Sequence, residues 1–431
     1  MSSRIALVIV LYAAGCVAES DEVAVSSMVR DSAGVAIVSS VRPQWLGSTA
    51  AWTVQREAIV SIGGGNDNEY GHLIWQVTGA AVTANGAVLV LSGGRTAPRL
   101  YLFSRDGTLI RAIGGAGDGP GEFREPLHLQ FRRGDTIAVW ERFFGRVTSF
   151  DTAGTVVGIR HIDFSEVVRA IGAPGEKDVA VPLDDGSFIA RIPLDQELPA
   201  VPTRGQWLRT PVRYSIMRVD YSTHSLGEFD DMMVGYAPGE TARPVVPLFG
   251  VRSAIAAGDF NERLKIYVST GDRNEVRQFD STGRLAAILR LESPPPSVTD
   301  RERKLALERI GLFNNMDETA IRRREQMLET FPEQSHHPPM RSLLLDRLGY
   351  LWALEKNDGL WETVWHVFDP TGAWLGRVHI PLFRVYEIGP DYVIGSARDS
   401  LLVESVRVHA LLRGVGKTAI LSGNRAAPRG N

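Results

Sequence analysis

One phrase recurs along this chain: a phenylalanine, a three-residue stretch holding one aspartate and a glycine, followed by alternating apolar residues. It stands as Phe103-Ser104-Arg105-Asp106-Gly107, Phe150-Asp151-Thr152-Ala153-Gly154, Phe279-Asp280-Ser281-Thr282-Gly283 and Phe368-Asp369-Pro370-Thr371-Gly372. Each copy reads as the end of one strand, a turn using glycine for positive φ, and the start of the next strand. Recurrence at a period means a repeat architecture, in which a unit buries its apolar face only against its neighbours.

A second series of turns lies upstream in each unit. Asn85-Gly86 precedes Ala-Val-Leu-Val-Leu91, Gly134-Asp135 precedes Thr-Ile-Ala-Val-Trp140, and Asp185-Gly186 precedes Ser-Phe-Ile-Ala190. Asn261 to Arg263, Leu348-Gly349 and Gly389-Pro390-Asp391 continue it, each ahead of a short β-branched or aromatic run. Six such turns mean six units. Gly107 and Gly154 are 47 residues apart, the spacing of a four-stranded propeller blade. The expected fold is therefore all-β, a six-bladed β-propeller.

Two units depart from the pattern. In the third, the phrase decays to Val219-Asp220-Tyr221-Ser222-Thr223 after a long insertion. Between the fourth and fifth, Pro294-Pro295-Pro296 introduces a helical insertion over about residues 298–332. There Thr299 and Glu302 have capping-box spacing, and Ala306, Ile310 and Phe313 follow a helical period from about Asp300. A second helix is expected from Glu318 to Thr330, with Arg322-Arg323-Arg324 on its solvated face. The sixth unit has three obvious strands. Trp52-Thr-Val-Gln-Arg56 or Ala58-Ile-Val-Ser-Ile62 is expected to supply the fourth and close the ring, leaving no free edge there.

Charge narrows the partners. Lys plus Arg number 47 against 50 for Asp plus Glu, a net charge of -3, so nothing global attracts nucleic acid. Cys16 is the single cysteine, which excludes intramolecular disulfides. It follows Arg4, the apolar run Ile5 to Tyr12, and Ala13-Ala14-Gly15, the charged, apolar and small-residue regions of a secretory signal. Ala14-Gly15-Cys16 resembles the lipobox of bacterial lipoproteins, although Ala13 replaces the more usual Leu. That resemblance implies a signal peptide over residues 1–15, a lipidated Cys16 and a polar tether over residues 16–32. Val17, in place of Asp, implies an outer-membrane address. The propeller is then expected over residues 33–413 and a disordered tail over residues 414–431.

The run Gly114-Gly-Ala-Gly-Asp-Gly-Pro-Gly-Glu-Phe123, followed by Pro126, resembles the glycine-rich junction of NHL-type repeats. With the Phe-Asp-x-x-Gly phrases, the chain resembles the bacterial six-bladed propeller lipoproteins of the NHL-like group. The resemblance bears on fold. Propellers host lyases, lactonases, protein receptors and sugar binders alike.

Catalytic patterns are scarce. Gly414-Val415-Gly416-Lys417-Thr418 lacks the first glycine of a phosphate loop, and His-Glu-x-x-His and Gly-x-Ser-x-Gly do not occur. His336-His337 reads as a Pro-flanked loop. Some propeller lactonases hold a divalent cation with ligands from different blades, and Asp259, Asn261, Asp272 and Asn274 are the available carboxylates and amides. Each is also an ordinary turn residue. Trp352, Trp365 and Trp374 are expected between blades.

The loops after the second strands should share one face of the disc and there form a binding surface. Its expected members are Arg95, Glu141, Arg142, Phe144, Asp272, Arg273, Lys356, Trp361 and Arg398. Mixed charge with aromatics suits a protein, peptide or glycan ligand. The reading is a lipid-anchored binding or scaffold propeller of the bacterial cell envelope, with no cofactor and no metal. The alternative is a metal-dependent lactonase-like hydrolase or a lyase with a site in the central channel.

Overall fold

A computed structural model of the chain describes residues 27–46, 49, 51–64, 70, 73–94, 97–132, 136–141, 145–171, 178–194, 205–236, 244–313, 317–357, 361–399 and 401–414. Three strands precede the repeats: β1 (Ser27–Ser32), β2 (Val35–Ser40) and β3 (Trp52–Gly63). Six sheets form the blades, each built on four antiparallel strands; five have four strands and the fourth blade's sheet has six.

Blade 1 is β4 (Gly79–Val82), β5 (Val88–Ser92), β6 (Arg99–Phe103) and β7 (Leu109–Ile113). Blade 2 is β8 (Pro126–Arg132), β9 (Thr136–Glu141), β10 (Arg146–Phe150) and β11 (Val156–His161), followed by helix α1 (Phe164–Ile171). Blade 3 is β12 (Asp178–Pro182), β13 (Phe188–Pro193), β14 (Leu208–Met217) and β15 (Thr223–Val234). Blade 4 is β16 (Ala254–Phe260), β17 (Arg263–Ser269), β18 (Glu275–Phe279) and β19 (Leu285–Leu291). The insertion follows as α2 (Asp300–Phe313) and α3 (Glu318–Leu328). Blade 5 is β20 (Leu343–Leu345), β21 (Leu351–Asn357), β22 (Thr363–Phe368) and β23 (Trp374–Ile380). Blade 6 is β24 (Arg384–Ile388), β25 (Tyr392–Arg398) and β26 (Glu404–Arg413), completed by β3.

The recurrent phrase is the turn between third and fourth strands. In blade 4 the Asp280 carboxylate accepts from the Thr282 and Arg284 amides at 2.9 and 3.1 Å, while Gly283 takes φ +81°. Asp369 repeats this with Thr371 and Ala373, and Gly372 with φ +92°. The aspartate thus replaces the hydrogen bonds that the reversing backbone loses. In blade 3 Tyr221 occupies the glycine position at φ +64°, and its hydroxyl accepts from the Asp163 amide at 2.8 Å.

Closure uses both candidate segments as one strand. β3 pairs antiparallel with β26 from Ser405↔Gly63 to Arg413↔Trp52, with register shifts on either side of His409 that absorb Ile59 and residues 55–57. Upstream, β2 lies parallel to β19 and β1 antiparallel to β2, so blade 4 has six strands. Residues 27–32, read above as tether, are therefore an outer strand. Between these strands, Gln44 and Trp45 donate their amides to the carbonyls of Trp374 and Leu375 on blade 5. The N-terminal segment belts blades 4, 5 and 6.

The apolar core lies between blades, one cluster per interface among the described residues. Phe123 of the glycine-rich junction is fully buried between blades 1 and 2, edge-on to Phe150. Trp352 and Trp365 fill the interface of blades 5 and 6, and Trp374 that of blades 4 and 5, as expected.

Three histidines are held neutral in this framework. Burial pushes His366 down to about 3, with Arg377 adding to it, and burial also lowers His337 and His409. Unfolded imidazole titrates near about 6.5, so below that pH the unfolded chain binds more protons and folding weakens. For His366 the slope approaches about 1.4 kcal/mol per pH unit between pH 6.5 and its folded value of about 3, and His337 and His409 add to it in the same direction. Urea midpoints should fall steadily from pH 7 to pH 5, and His366→Phe should flatten that fall. Parallel slopes for the two chains would refute it.

Candidate binding face

Antiparallel alternation places the connections of each blade on two faces of the disc. Turns between first and second, and between third and fourth, strands lie on one, here the turn face. Loops between second and third strands, and the links to the next blade, lie on the other, the loop face. The helical insertion links β19 to β20 and so stands on the loop face.

Glu141 lies at this face but beneath its surface. Its side chain is fully buried, paired with Arg146, and accepts from the Arg124 amide at 2.7 Å. Arg146 in turn donates to the Asp118 and Glu122 carbonyls at 2.9 and 2.8 Å. The pair shapes the glycine-rich junction from below, and Glu141 is not a contact residue. Arg95, Arg142 and Phe144 lie outside the described residues, as does Cys16.

The remaining candidates do share the face. Thr270 donates to Asp272, whose carboxylate stands 4.0 Å from Arg209, and Arg273 is exposed. Lys356 is half-buried, Trp361 is 42% exposed, and the Arg398 guanidinium stacks 4.0 Å over the Phe383 ring. Asp399 shapes the adjacent turn, accepting from the Leu401 and Val403 amides at 2.9 Å.

The residues considered for a channel cation do not converge. Asp259 and Asn261 sit at the turn-face end of β17, Asp272 and Asn274 beyond its loop-face end. Seven strand residues of about 3.3 Å each separate them by roughly 23 Å. Asn274 is instead committed to the Ser293 carbonyl at 2.5 Å, where the insertion departs. Among the described residues no group of three or more His, Cys, Asp or Glu is placed to hold a metal ion.

At the turn face the axis is crossed by a side chain. Arg347 of blade 5 donates to the Val82 carbonyl of blade 1 and to Glu387 of blade 6, both at 2.9 Å, and lies 5.8 Å from the Phe131 ring of blade 2. Glu387 also takes the hydroxyl of Tyr392, whose pKa is raised by burial and by that carboxylate. These groups satisfy one another.

The insertion is built as the capping-box spacing predicts. Thr299 and Glu302 exchange hydrogen bonds at 3.2 Å and 2.9 Å, and α2 begins at Asp300. Burial raises the Glu302 pKa, but the Thr299 amide and hydroxyl outweigh it and leave the carboxyl lowered. Of the arginine triplet, Arg322 pairs with Glu318, whereas Arg324 is half-buried and donates to the Val246 carbonyl at 3.1 Å. His336 and His337 lie in the Pro-flanked loop expected for them, His336 exposed and His337 turned inward. His337 is buried edge-on to Phe249, 3.3 Å from Glu302, and fastens the insertion's stalk.

Phe331, at the end of α3, docks the insertion onto blade 3. Its ring fills the space that a side chain at Gly235 would need, and it stacks on Trp207 with centroids 4.2 Å apart. Trp207 donates its indole N–H to the Pro332 carbonyl at 2.8 Å. Between the insertion and this dock lies a cavity of about 400 Å³, within the range of small-ligand pockets. Sequence reading did not assemble it, because Trp207, Leu248, Leu307 and Phe331 come from three separate segments.

Residues 81–178 match a family described as a 6-bladed beta-propeller. The described residues form a six-bladed β-propeller. No curated protein matches it in sequence. Among solved structures, a Bacteroides fragilis protein described as exported is 12% identical, with 87% of this chain and 99% of that one covered and a TM-score of 0.45. A Bacteroides thetaiotaomicron protein of unknown function is also 12% identical, with 84% and 76% covered and a TM-score of 0.42. Virginiamycin B lyase from Staphylococcus aureus is 8% identical, with 78% and 94% covered and a TM-score of 0.35. Such distant similarities do not carry a ligand or an activity to this chain.

Proposed function

We propose that this propeller is a lipid-anchored binding protein of the bacterial cell envelope, taking its ligand on the loop face. The observation that carries the reading is the cavity that the insertion builds there against blade 3. A repeat scaffold binds through what differs between repeats, and the insertion is the largest such difference. The turn face, by contrast, carries the recurrent turns, the self-satisfied Arg347 and a smaller cavity of about 280 Å³ among Asn85, Arg105 and Asp391.

The entry of the chain is consistent with a tether. Ser27 opposes Ser40, which stands beside Leu291, the last residue before the insertion departs. The chain thus joins the disc on the loop face. Eleven residues from Cys16 to Ser27 can span at most about 40 Å, which would keep that face within reach of the bilayer surface.

Two measurements test the reading. Cys16→Ala should abolish incorporation of an alkyne-labelled fatty acid and move the protein from membrane to soluble fractions; unchanged partition removes the anchor. A photo-crosslinking residue at Arg273 or Trp361 should give discrete adducts in intact envelopes, and one at Thr152 or Thr371 on the turn face should not. Equal adducts from both faces would reject the loop-face assignment.

A further inference from the structure

We infer that the cavity beneath the insertion takes the cationic end of an amphipathic ligand, an organic ammonium or guanidinium on an apolar body. The inference rests on the loop-face reading above and names the ligand chemistry of that face. Its floor is apolar: the stacked Trp207 and Phe331 rings, with Leu248, Leu307 and Leu328 as walls. The indole N–H is already spent on Pro332. What Trp207 has left to offer is its ring, which attracts hydrocarbon and cations.

The rim sets the sign of the charge. Glu325, Glu329 and Glu333 line it with one cation, Arg303, which pairs with Glu333 at 2.7 Å. Glu325 and Glu329 form no ion pair among the described residues. They stand one turn apart where α3 ends, Glu329 being its C-cap, and no basic residue occupies that last turn. The helix terminus adds a partial negative charge of about half an electron. Arg324, beside Glu325, is turned away onto the Val246 carbonyl. An anion would meet two uncompensated carboxylates and a helix C-terminus. A neutral apolar molecule would gain burial alone. A cation with an apolar body gains both, with aromatic surface and carboxylates together as in sites that recognise ammonium groups.

Two sources supply this chemistry, a free amine or the Lys or Arg side chain of a peptide. The test measures binding by titration calorimetry with phenethylamine, its uncharged isostere phenethyl alcohol, and hydrocinnamate, on the full chain. Phenethylamine should bind roughly tenfold tighter than the alcohol, the scale of a charge-assisted contact, and hydrocinnamate weakest. Glu325→Gln with Glu329→Gln should erase the preference and leave alcohol binding unchanged. Trp207→Ala should weaken both, with thermal melts checking that each variant is folded. An acetyl-Leu-Lys-Leu amide binding tighter than the free amine assigns the site to a peptide, and weaker binding assigns it to a small molecule.

Equal affinity for amine and alcohol, both reduced by Trp207→Ala, would overturn the charge inference while the loop-face reading stands. No binding of any probe, together with loss of the loop-face adducts, would overturn both.

Discussion

A chain lacking residues 27–63 is expected to lose its cooperative unfolding transition, while one lacking residues 27–40 keeps it at a lower urea midpoint. Removing β3 strips blade 6 of its outer strand and takes Trp52, Val60 and Ile62 out of two interblade cores. Burial of three such side chains contributes roughly 5 to 9 kcal/mol, against a whole-domain stability of about 5–15 kcal/mol. It also exposes β26 as an edge along its length, which favours aggregation. The shorter deletion removes buried Ile37 and Val38 but leaves the ring closed. Its cost should be roughly 3 to 6 kcal/mol.

A permuted chain separates closure from mere loss of residues. Arg413 pairs with Trp52 in the antiparallel ladder, so a four-residue turn can lead from one to the other. Residues 70–413, that turn, and residues 52–63 should regain one cooperative transition. It should lie below the native midpoint by what β1, β2 and Trp45 contribute. If the permuted chain stays unfolded while the residue 27–63 deletion folds, β3 is not the closing strand.

How far the fold could be read in advance follows from where each signal resides. Asp280 and Gly283 make their turn within five residues, so the phrase announces itself. The capping box of Thr299 and Glu302 is equally local. Blade 3 hides its turn because Tyr221 adopts the glycine conformation and repays it through Asp163, 58 residues away. The β1–β2 hairpin hides for another reason. Its pairing with β19 is parallel and distant, and Met28 and Val29 are exposed rather than buried.

The candidate face was legible in the sequence, and the cavity on it was not. Repeat geometry puts Asp272, Lys356 and Arg398 on one side of the disc without knowledge of their contacts. It does not reveal that Glu141 is a buried support, since burial there depends on Arg146 and on the folding-over of residues 114–125. Nor does it reveal Trp207 against Phe331, more than a hundred residues apart. Sites assembled from insertions in different blades carry no periodic signal.

The second large effect is expected at a buried ion pair beside the closing strand. Asp346 is fully buried and accepts four hydrogen bonds: from the Leu348 and Tyr350 amides at 2.9 Å, the Trp352 indole at 3.0 Å and Arg413 at 2.8 Å. Arg413 also donates to the Gly389 and Pro390 carbonyls at 2.8 and 2.7 Å, and its guanidinium stacks 4.2 Å over Trp52. One residue pair therefore joins the first turns of blades 5 and 6 to the last residue of β26 and the first of β3.

Removing one member of such a pair leaves the other charge buried, at a cost of about 3–5 kcal/mol. Asp346→Ala should reach the upper end, since it also orphans two backbone amides and an indole. Arg413→Ala should fall at the lower end, its side chain being 13% exposed. Asp346→Asn keeps an acceptor for the Leu348 and Tyr350 amides and should lie between wild type and Ala. The double Ala variant removes the uncompensated charge, so its loss should be smaller than the sum of the singles by roughly 1.5 kcal/mol or more. It should not return to wild type, because the amides stay unpaired and Nη1 of Arg413, buried without a partner, is the one liability that its removal cures. Urea midpoints of the four chains at neutral pH decide this. Strict additivity, or single losses below about 1 kcal/mol, the range of exposed pairs, would show that ladder pairing of β3 with β26 closes the ring without the lock.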